Sequence, residues 1–371
     1  MNGIAYHAER PFAAPHAHGG GKIGRAMLFV QLALVPATLF GFWLYGWPAF
    51  FLWAITLLSV LVFEFLSLRL MGKKQAERTL FDGSALLTGW LLAMTLPPWS
   101  PWWIGMLGAF IAIVIGKQVF GGLGQNVFNP AMVARVALLI SFPLQLTTWV
   151  MPMPLASTLI PGVVDGLHIT LGQTPLPDAM TSASLLGYAK TELSRGVDLA
   201  QALAAAHAPQ ISWLGVRAGS LGESSALLLL LGGLFLLATR VIRWQAPVGV
   251  LAGVLLPALL AHALAPEKYL GVESHLLSGA VMLGAFFIAT DYVTSPTTGM
   301  GQLVFGLGVG LMTWVIRTLG GYPEGVAFAI LFMNALTPLI DRYIRPRILG
   351  RTRSGKPVSP LSGADRAKKG A

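Results

Sequence analysis

Three stretches of this 371-residue chain bring together residue types that hold or steer charged groups. In Asn126-Val-Phe-Asn129-Pro130-Ala-Met-Val-Ala-Arg135, Asn129 stands at an N-cap position, and Pro130 follows where a missing N–H costs nothing. The pattern reads first as a capped helix start. Arg135, one turn further in, needs an anionic or carbonyl partner, and a helix N-terminus beside an arginine can hold a phosphate or a polarised carbonyl. The second stretch, Asp291-Tyr-Val-Thr294-Ser295-Pro296-Thr297-Thr298-Gly299, reads as a tight polar turn between helices. Its other reading is a loop whose backbone and hydroxyls, Thr294 among them, grip a cofactor. The third, Asp178-Ala-Met-Thr181-Ser182-Ala183-Ser184-Leu185, is by composition a Ser/Thr turn or a helix cap and carries no chemistry alone.

A second group is ionisable and lies beside apolar runs: Glu64, Lys117, Arg317, Glu324 and Asp341. Lys117 and Arg317 are expected to snorkel toward the membrane surface. Glu64 and Asp341 are candidates for an ion path, because a carboxylate abutting an apolar span is costly without a cation or a donor. Asp341-Arg342 reads equally as a surface pair. His7, His16 and His18 lie in a polar arm and are not expected to bind metal, and no catalytic residue is assigned. With no cysteine the chain cannot form disulfides or ligate iron–sulfur clusters by thiolate, so carrying electrons would require an organic cofactor.

The elements that must position these residues follow from composition. Apolar residues make up 55% of the chain and charged ones only 11%, with mean hydropathy +0.69. Soluble domains carry about 25% charged residues, so this composition indicates an all-α polytopic membrane protein. Ten candidate spans are found at 26–46, 48–68, 82–97, 101–118, 131–150, 224–240, 246–264, 273–290, 302–318 and 325–341, read against a need for roughly 20 apolar residues. The third is short and holds Gly83 and Gly89, which suggests a broken or half-spanning helix. Net charge is +10, and the basic residues cluster beside the spans, which explains them by topology rather than by nucleic acid. The tail 342–371 carries net +8, the 69–80 loop net +3 and the arm 1–25 net +2, while 151–222 carries net −1. Ten spans bring the basic segments to one face, expected to be cytoplasmic, with both termini on it. The organisation is an arm (1–25), five spans (26–150), an outer segment (151–222), five more spans (223–342) and a basic tail (343–371).

A weak internal repeat accompanies this division. Leu86-Leu87-Thr88-Gly89 matches Leu276-Leu277-Ser278-Gly279, and Gly121-Gly122 followed by Val127 matches Gly320-Gly321 followed by Val326. An odd number of spans per unit inverts the second unit relative to the first. Gly249-x-x-x-Gly253 and Gly306-x-x-x-Gly310 read as helix-packing surfaces.

Phe128-Asn129-Pro130-Ala131-Met132, then Ala289-Thr290-Asp291 with Thr294-Ser295-Pro296-Thr297, then Gly320-Gly321-Tyr322-Pro323-Glu324-Gly325 with Met333-Asn334-Ala335-Leu336-Thr337-Pro338-Leu339-Ile340-Asp341 together resemble the RnfD/NqrB family of membrane subunits. The resemblance covers nearly all of residues 25–345 and is nearer the RnfD branch. It implies a fold similar to urea transporters, with two inverted five-helix repeats. It also implies FMN joined through its phosphate to a hydroxyl, normally threonine, in an Asp-x-x-[Ser/Thr]-x-Ala-Thr motif. Here Asp178, Thr181 and Ala183 match and Ser184 holds the acceptor position, a serine for threonine, with Leu185 where proline is frequent. Thr181 and Ser182 are the neighbouring alternatives. An unlinked riboflavin, as in NqrB-like members, is a further implication. The cofactor-binding candidates are thus Ser184, Thr181, Asn129, Arg135 and Thr294. The implied role is a subunit of an Rnf-type complex in the bacterial inner membrane, relaying electrons through FMN. That complex couples ferredoxin/NAD redox chemistry to sodium-ion or proton movement. Its partners would be the other Rnf membrane subunits, flavin and iron–sulfur subunits, and lipid. The chain lacks nicotinamide and iron–sulfur motifs and is not expected to be a complete enzyme alone. A small-solute channel or transporter of the same fold class is the rival reading, and a structural anchor for flavoproteins a third.

Overall fold

The computed structural model describes residues 23–73, 80–155, 157, 160–174, 181–182, 184–199, 201–202, 215, 218–322 and 324–346, which are mostly helical. A helix satisfies its own backbone, which an apolar surrounding demands. Four helices are long and apolar enough to cross a membrane, and shorter apolar helices accompany them.

The first is α1, Ile23–Leu70, which breaks at Gly46 (φ 70°, ψ −157°), a left-handed conformation open to glycine. The break folds α1 into two legs. Trp90 on α2 (Ser84–Thr95) donates its indole N–H to Thr38 Oγ1 at 2.9 Å, and its ring meets that of Trp53 at 5.0 Å. Thr38 and Trp53 would be about 22 Å apart along a straight helix. Helix α3 (Trp102–Phe110) continues as a π-helical stretch, Ile111–Gln118. Then come α4 (Pro130–Ser141) and the short α5 (Pro143–Thr147). Residues Trp149–Val150 (β1) pair antiparallel with Thr181–Ser182 (β2), in the register Trp149↔Ser182 and Val150↔Thr181. Between and after them lie α6 (Val163–Thr170) and α7 (Leu185–Ser194).

The second half holds α8 (Ala226–Ala238), α9 (Gln245–Leu264), α10 (Val272–Leu277), α11 (Val281–Leu283, continued as a π-helical stretch Gly284–Ile288), α12 (Gly299–Leu319) and α13 (Val326–Tyr343). Helices α9 and α12 share the broadest helix–helix contact. Gly249 and Gly253 face Gly306 and Gly310 there: a Cβ on Gly306 would lie 2.5 Å from the Ala246 carbonyl oxygen, and one on Gly249 2.7 Å from that of Leu303. Both small-residue patterns are therefore packing surfaces, as their spacing indicates.

Helix α2, at 12 residues, is short of a full span, and the helix break falls elsewhere. Helix α2 runs unbroken through Gly89, whose missing side chain admits Val60; a Cβ there would lie 2.5 Å from Val60 Cγ2. The break lies instead in the matching stretch of the second half, between Leu277 and Val281, where Gly279 has φ 70°.

Helix ends fall into two sets. Gly83 accepts from Gln31, Lys73 donates to the Gly121 carbonyl, Asp341 accepts from Thr297, and Arg243 donates to Thr297, which gathers one set. Trp99 donates to Tyr45, Met153 to Leu44, Leu199 to Glu267, and Lys190 to Tyr322, which gathers the other. The first set is called inner below and the second outer.

Candidate functional site

The inner set surrounds an open cleft lined by Ser84, Lys117, Asn126, Asn129, Asp291 and apolar neighbours such as Phe287. Asn129 caps α4 as its sequence indicates: Oδ1 accepts from the Met132 N–H at 3.3 Å. It is also the centre of a polar knot between the two halves. Its backbone N–H donates to Asn334 Oδ1 at 3.1 Å, and its Nδ2 to Asp291 Oδ2 at 3.3 Å. Thr294 donates its hydroxyl to Asp291 Oδ2 at 3.0 Å, while its carbonyl accepts from Asn334 Nδ2 and the Thr337 hydroxyl. The 291–299 stretch is thus a tight polar turn, and its carboxylate lines the cleft. Desolvation pushes the Asp291 carboxyl above its usual range, against the hydrogen bonds from Val293, Thr294 and Asn129 that favour the ionised form.

Lys117 does not snorkel. It is 2% exposed and donates to Glu64 Oε1 and to Ser84 Oγ, each at 2.8 Å, with Glu64 fully buried. Arg317 also turns inward, 6% exposed. It donates to the carbonyls of His275 (2.8 Å) and Ser278 (3.0 Å) at the end of α10 and pairs with Glu324. Burying a cation requires partners: Lys117 finds its acid 53 residues back, and Arg317 finds Glu324 7 residues on and its two carbonyls 42 and 39 residues back. Asp341, on the inner rim, accepts from both the N–H and the hydroxyl of Thr297 at 3.1 Å, rather than forming a salt bridge with Arg342.

Arg135 is separated from Asn129 although both sit on or beside α4. It lines a smaller outer cavity with Glu223, Glu324, Thr95 and Phe328. Glu223 precedes α8 and accepts from Ser220 Oγ at 2.7 Å.

Ser184 lies in the outer set, partly exposed, as the N-cap of α7; its Oγ accepts from the Gly187 N–H at 3.2 Å. The backbone just before it is held by the β1–β2 ladder at Thr181–Ser182. One and a half turns along α7, Lys190 Nζ reaches the carbonyls of Ile316 (3.4 Å), Arg317 (3.2 Å) and Tyr322 (3.2 Å). Burial holds the Lys190 ammonium below its usual range. Asp178, Ala183, the side chains of Thr181 and Ser182, and the three arm histidines lie outside the described residues.

The candidates therefore form three places: Asn129 and Thr294 at the inner cleft, Arg135 at the outer cavity, and Ser184 on the outer segment. Sequence reading passed over Asn334 and Glu223. Ser220-Leu-Gly-Glu223 has the spacing of a capping box, with an acid opening an apolar run, and that signal was available.

A family model described as the NQR2, RnfD, RnfE family matches residues 12–350. Relatives named as the D-type subunit of an ion-translocating oxidoreductase complex include one from Halorhodospira halophila, 52% identical over 347 residues, covering 94% of this chain and 97% of that protein. Another from Stutzerimonas stutzeri is 53% identical over 337 residues (91% and 95%), and one from Rhodobacter capsulatus is 48% identical over 306 residues (82% and 85%).

Proposed function

Because the chain belongs to the NQR2, RnfD, RnfE family, we propose that it is the D-type membrane subunit of an Rnf-type ion-translocating oxidoreductase complex, relaying electrons through FMN on Ser184. It is a multi-pass helical membrane protein and a subunit of that kind of assembly. The finer reading has ten spans in two inverted repeats, a bacterial inner membrane location and both termini cytoplasmic. The two sets of helix ends support it. So do Lys117 and Arg317, each buried, each paired with a glutamate, each a few residues before a matching Gly-Gly pair, and on opposite sets. Partners are the other membrane subunits and the flavin and iron–sulfur subunits.

The observation that carries the flavin is Ser184 itself. Its hydroxyl is partly exposed at the N-terminus of a ten-residue helix whose first turn has no acidic side chain. Helix N-termini favour phosphate, so an ester on this oxygen suits the local field. Bound there, FMN supplies one- and two-electron redox chemistry that no side chain of this chain offers. Ser184 holds the phosphate, the ladder at Thr181–Ser182 orients the segment, and Lys190 fastens α7 to the end of α12. We assign the unlinked flavin to the inner cleft, with Asn129, Asp291 and Lys117 as its polar lining. Glu64 and Asp341 remain the ion-path candidates on the inner side, Glu64 because its Oε2 has no partner among the described residues.

The test is a fluorescent band on a denaturing gel, with peptide mass spectrometry of the fragment containing Ser184. Ser184→Ala should abolish the band and Ser184→Thr should keep it. A native complex with no flavin on this peptide would remove the assignment and favour a channel or anchor.

A further inference from the structure

The outer cavity gathers three charged side chains, Arg135, Glu223 and Glu324. Arg135 from α4 is 7% exposed, lines the cavity, and has no partner for Nη1 among the described residues. Two carboxylates line the same space. Glu324 gives Oε1 to Arg317, and its Oε2 has no partner among the described residues. Glu223, 7% exposed, has only the neutral Ser220 hydroxyl on its Oε1. A buried donor and a buried acceptor left open on one polar cavity are the conditions under which water is held inside a protein.

The two acids differ in what holds them. Glu324 pairs with a guanidinium that is itself fixed by two carbonyls at the end of α10, a charge-assisted contact. Among the described residues Glu223 accepts only from Ser220, and Glu324 lines the same cavity as a like charge. Like-charged carboxyls sharing a desolvated site favour a proton on the one with the weaker partner. The charged and titratable groups around Glu223 are Arg135 from α4, Glu324 before α13 and Arg317 from α12, with His275 of α10 beside Arg317.

We propose that the outer cavity is a proton-binding site in which Glu223 takes up and releases a proton, with Arg135 and Glu324 setting its affinity from opposite directions. The proton adds to a carboxylate oxygen of Glu223 and leaves by the same route; no bond in the chain is made or broken otherwise. A guanidinium on the cavity wall disfavours a metal cation there.

Infrared difference spectra of the purified full chain in lipid, titrated from about pH 5 to about pH 9, read the protonated carboxyl band directly. The wild type should show a band that titrates, absent in Glu223→Gln and retained in Glu223→Asp. Arg135→Met removes a cation and should move the midpoint up by about one pH unit; Glu324→Gln removes an anion and should move it down by about as much. A merely structural role gives no such opposed pair. A wild type without a titrating band, a band that survives Glu223→Gln, or equal shifts in both neighbours would overturn the proposal. Glu223→Asp carries the test if the glutamine variant fails to fold.

Discussion

At the scale of single residues, Lys117 and Arg317 are buried cations with prepared partners. Lys117 has Glu64 and Ser84; Arg317 has Glu324 and two carbonyls. Removing one member leaves a lone charge out of water, which costs about 3–5 kcal/mol, more than the intact pair contributes. Lys117→Met should therefore lower the thermal unfolding temperature of the purified chain sharply, and the double variant with Glu64→Gln should restore most of it. Turnover distinguishes structure from transport at the same position. Glu64→Gln and Asp341→Asn should slow ion-coupled electron flow while bound flavin stays, and wild-type coupling in both would remove these acids from the path.

Elements are positioned by glycine where two backbones must touch. The α9–α12 seam has no room for side chains, since a Cβ at Gly306 or Gly249 already meets carbonyl oxygen at 2.5 and 2.7 Å. Gly306→Val should force the helices apart and cost about 1–3 kcal/mol or prevent folding, read as loss of monodisperse protein in detergent. The same substitution at Gly321, where a Cβ meets nothing within 4 Å, should be tolerated far better. Gly279 serves a different end. Its left-handed turn lets the α10–α11 break approach the Arg317–Glu324 pair, and any side chain there would collide with both partners.

For the whole molecule, the contacts between helix ends argue for an alternating path through the membrane. Lys73, Arg243 and the chain near Ile344 belong with the inner set, whereas Ser184 and Lys190 belong with the outer. Reporter fusions at residue 371 and near residue 190 should accordingly give opposite signals, and equal signals would refute the ten-span reading. The halves share one apolar core, to which Ala33 and Leu34 of the first and Leu229 and Phe287 of the second belong, and their polar groups meet at two places. Asn129 of the first half bonds to Asn334 and Asp291 of the second on the inner side. Arg135 faces Glu223 and Glu324 across the outer cavity.

What the sequence determined by itself was class and chemistry by type. Composition required a membrane chain, Asn129-Pro130 required a helix start, the paired Gly-x-x-x-Gly patterns required close helices, and the ordered motifs led to the family. These are local or summed properties, legible wherever a residue's neighbours in the chain decide its state. Partnership was not legible. Nothing near Lys117 or Arg317 in sequence shows that Glu64 or Ser278 will meet it, so snorkelling was the reasonable expectation for both. Nor could spacing separate Asn129 from Arg135, which lie on one short helix but face different cavities. Ser274-His-Leu-Leu-Ser-Gly breaks its helix where Ser84-Ala-Leu-Leu-Thr-Gly does not, because each glycine answers to a different neighbour: Val60 packs on Gly89, and the Arg317–Glu324 pair fills the space beside Gly279. Only the tertiary structure decides such matters, since the energy of a buried charge or a close backbone contact depends on groups that the chain brings together from hundreds of residues away.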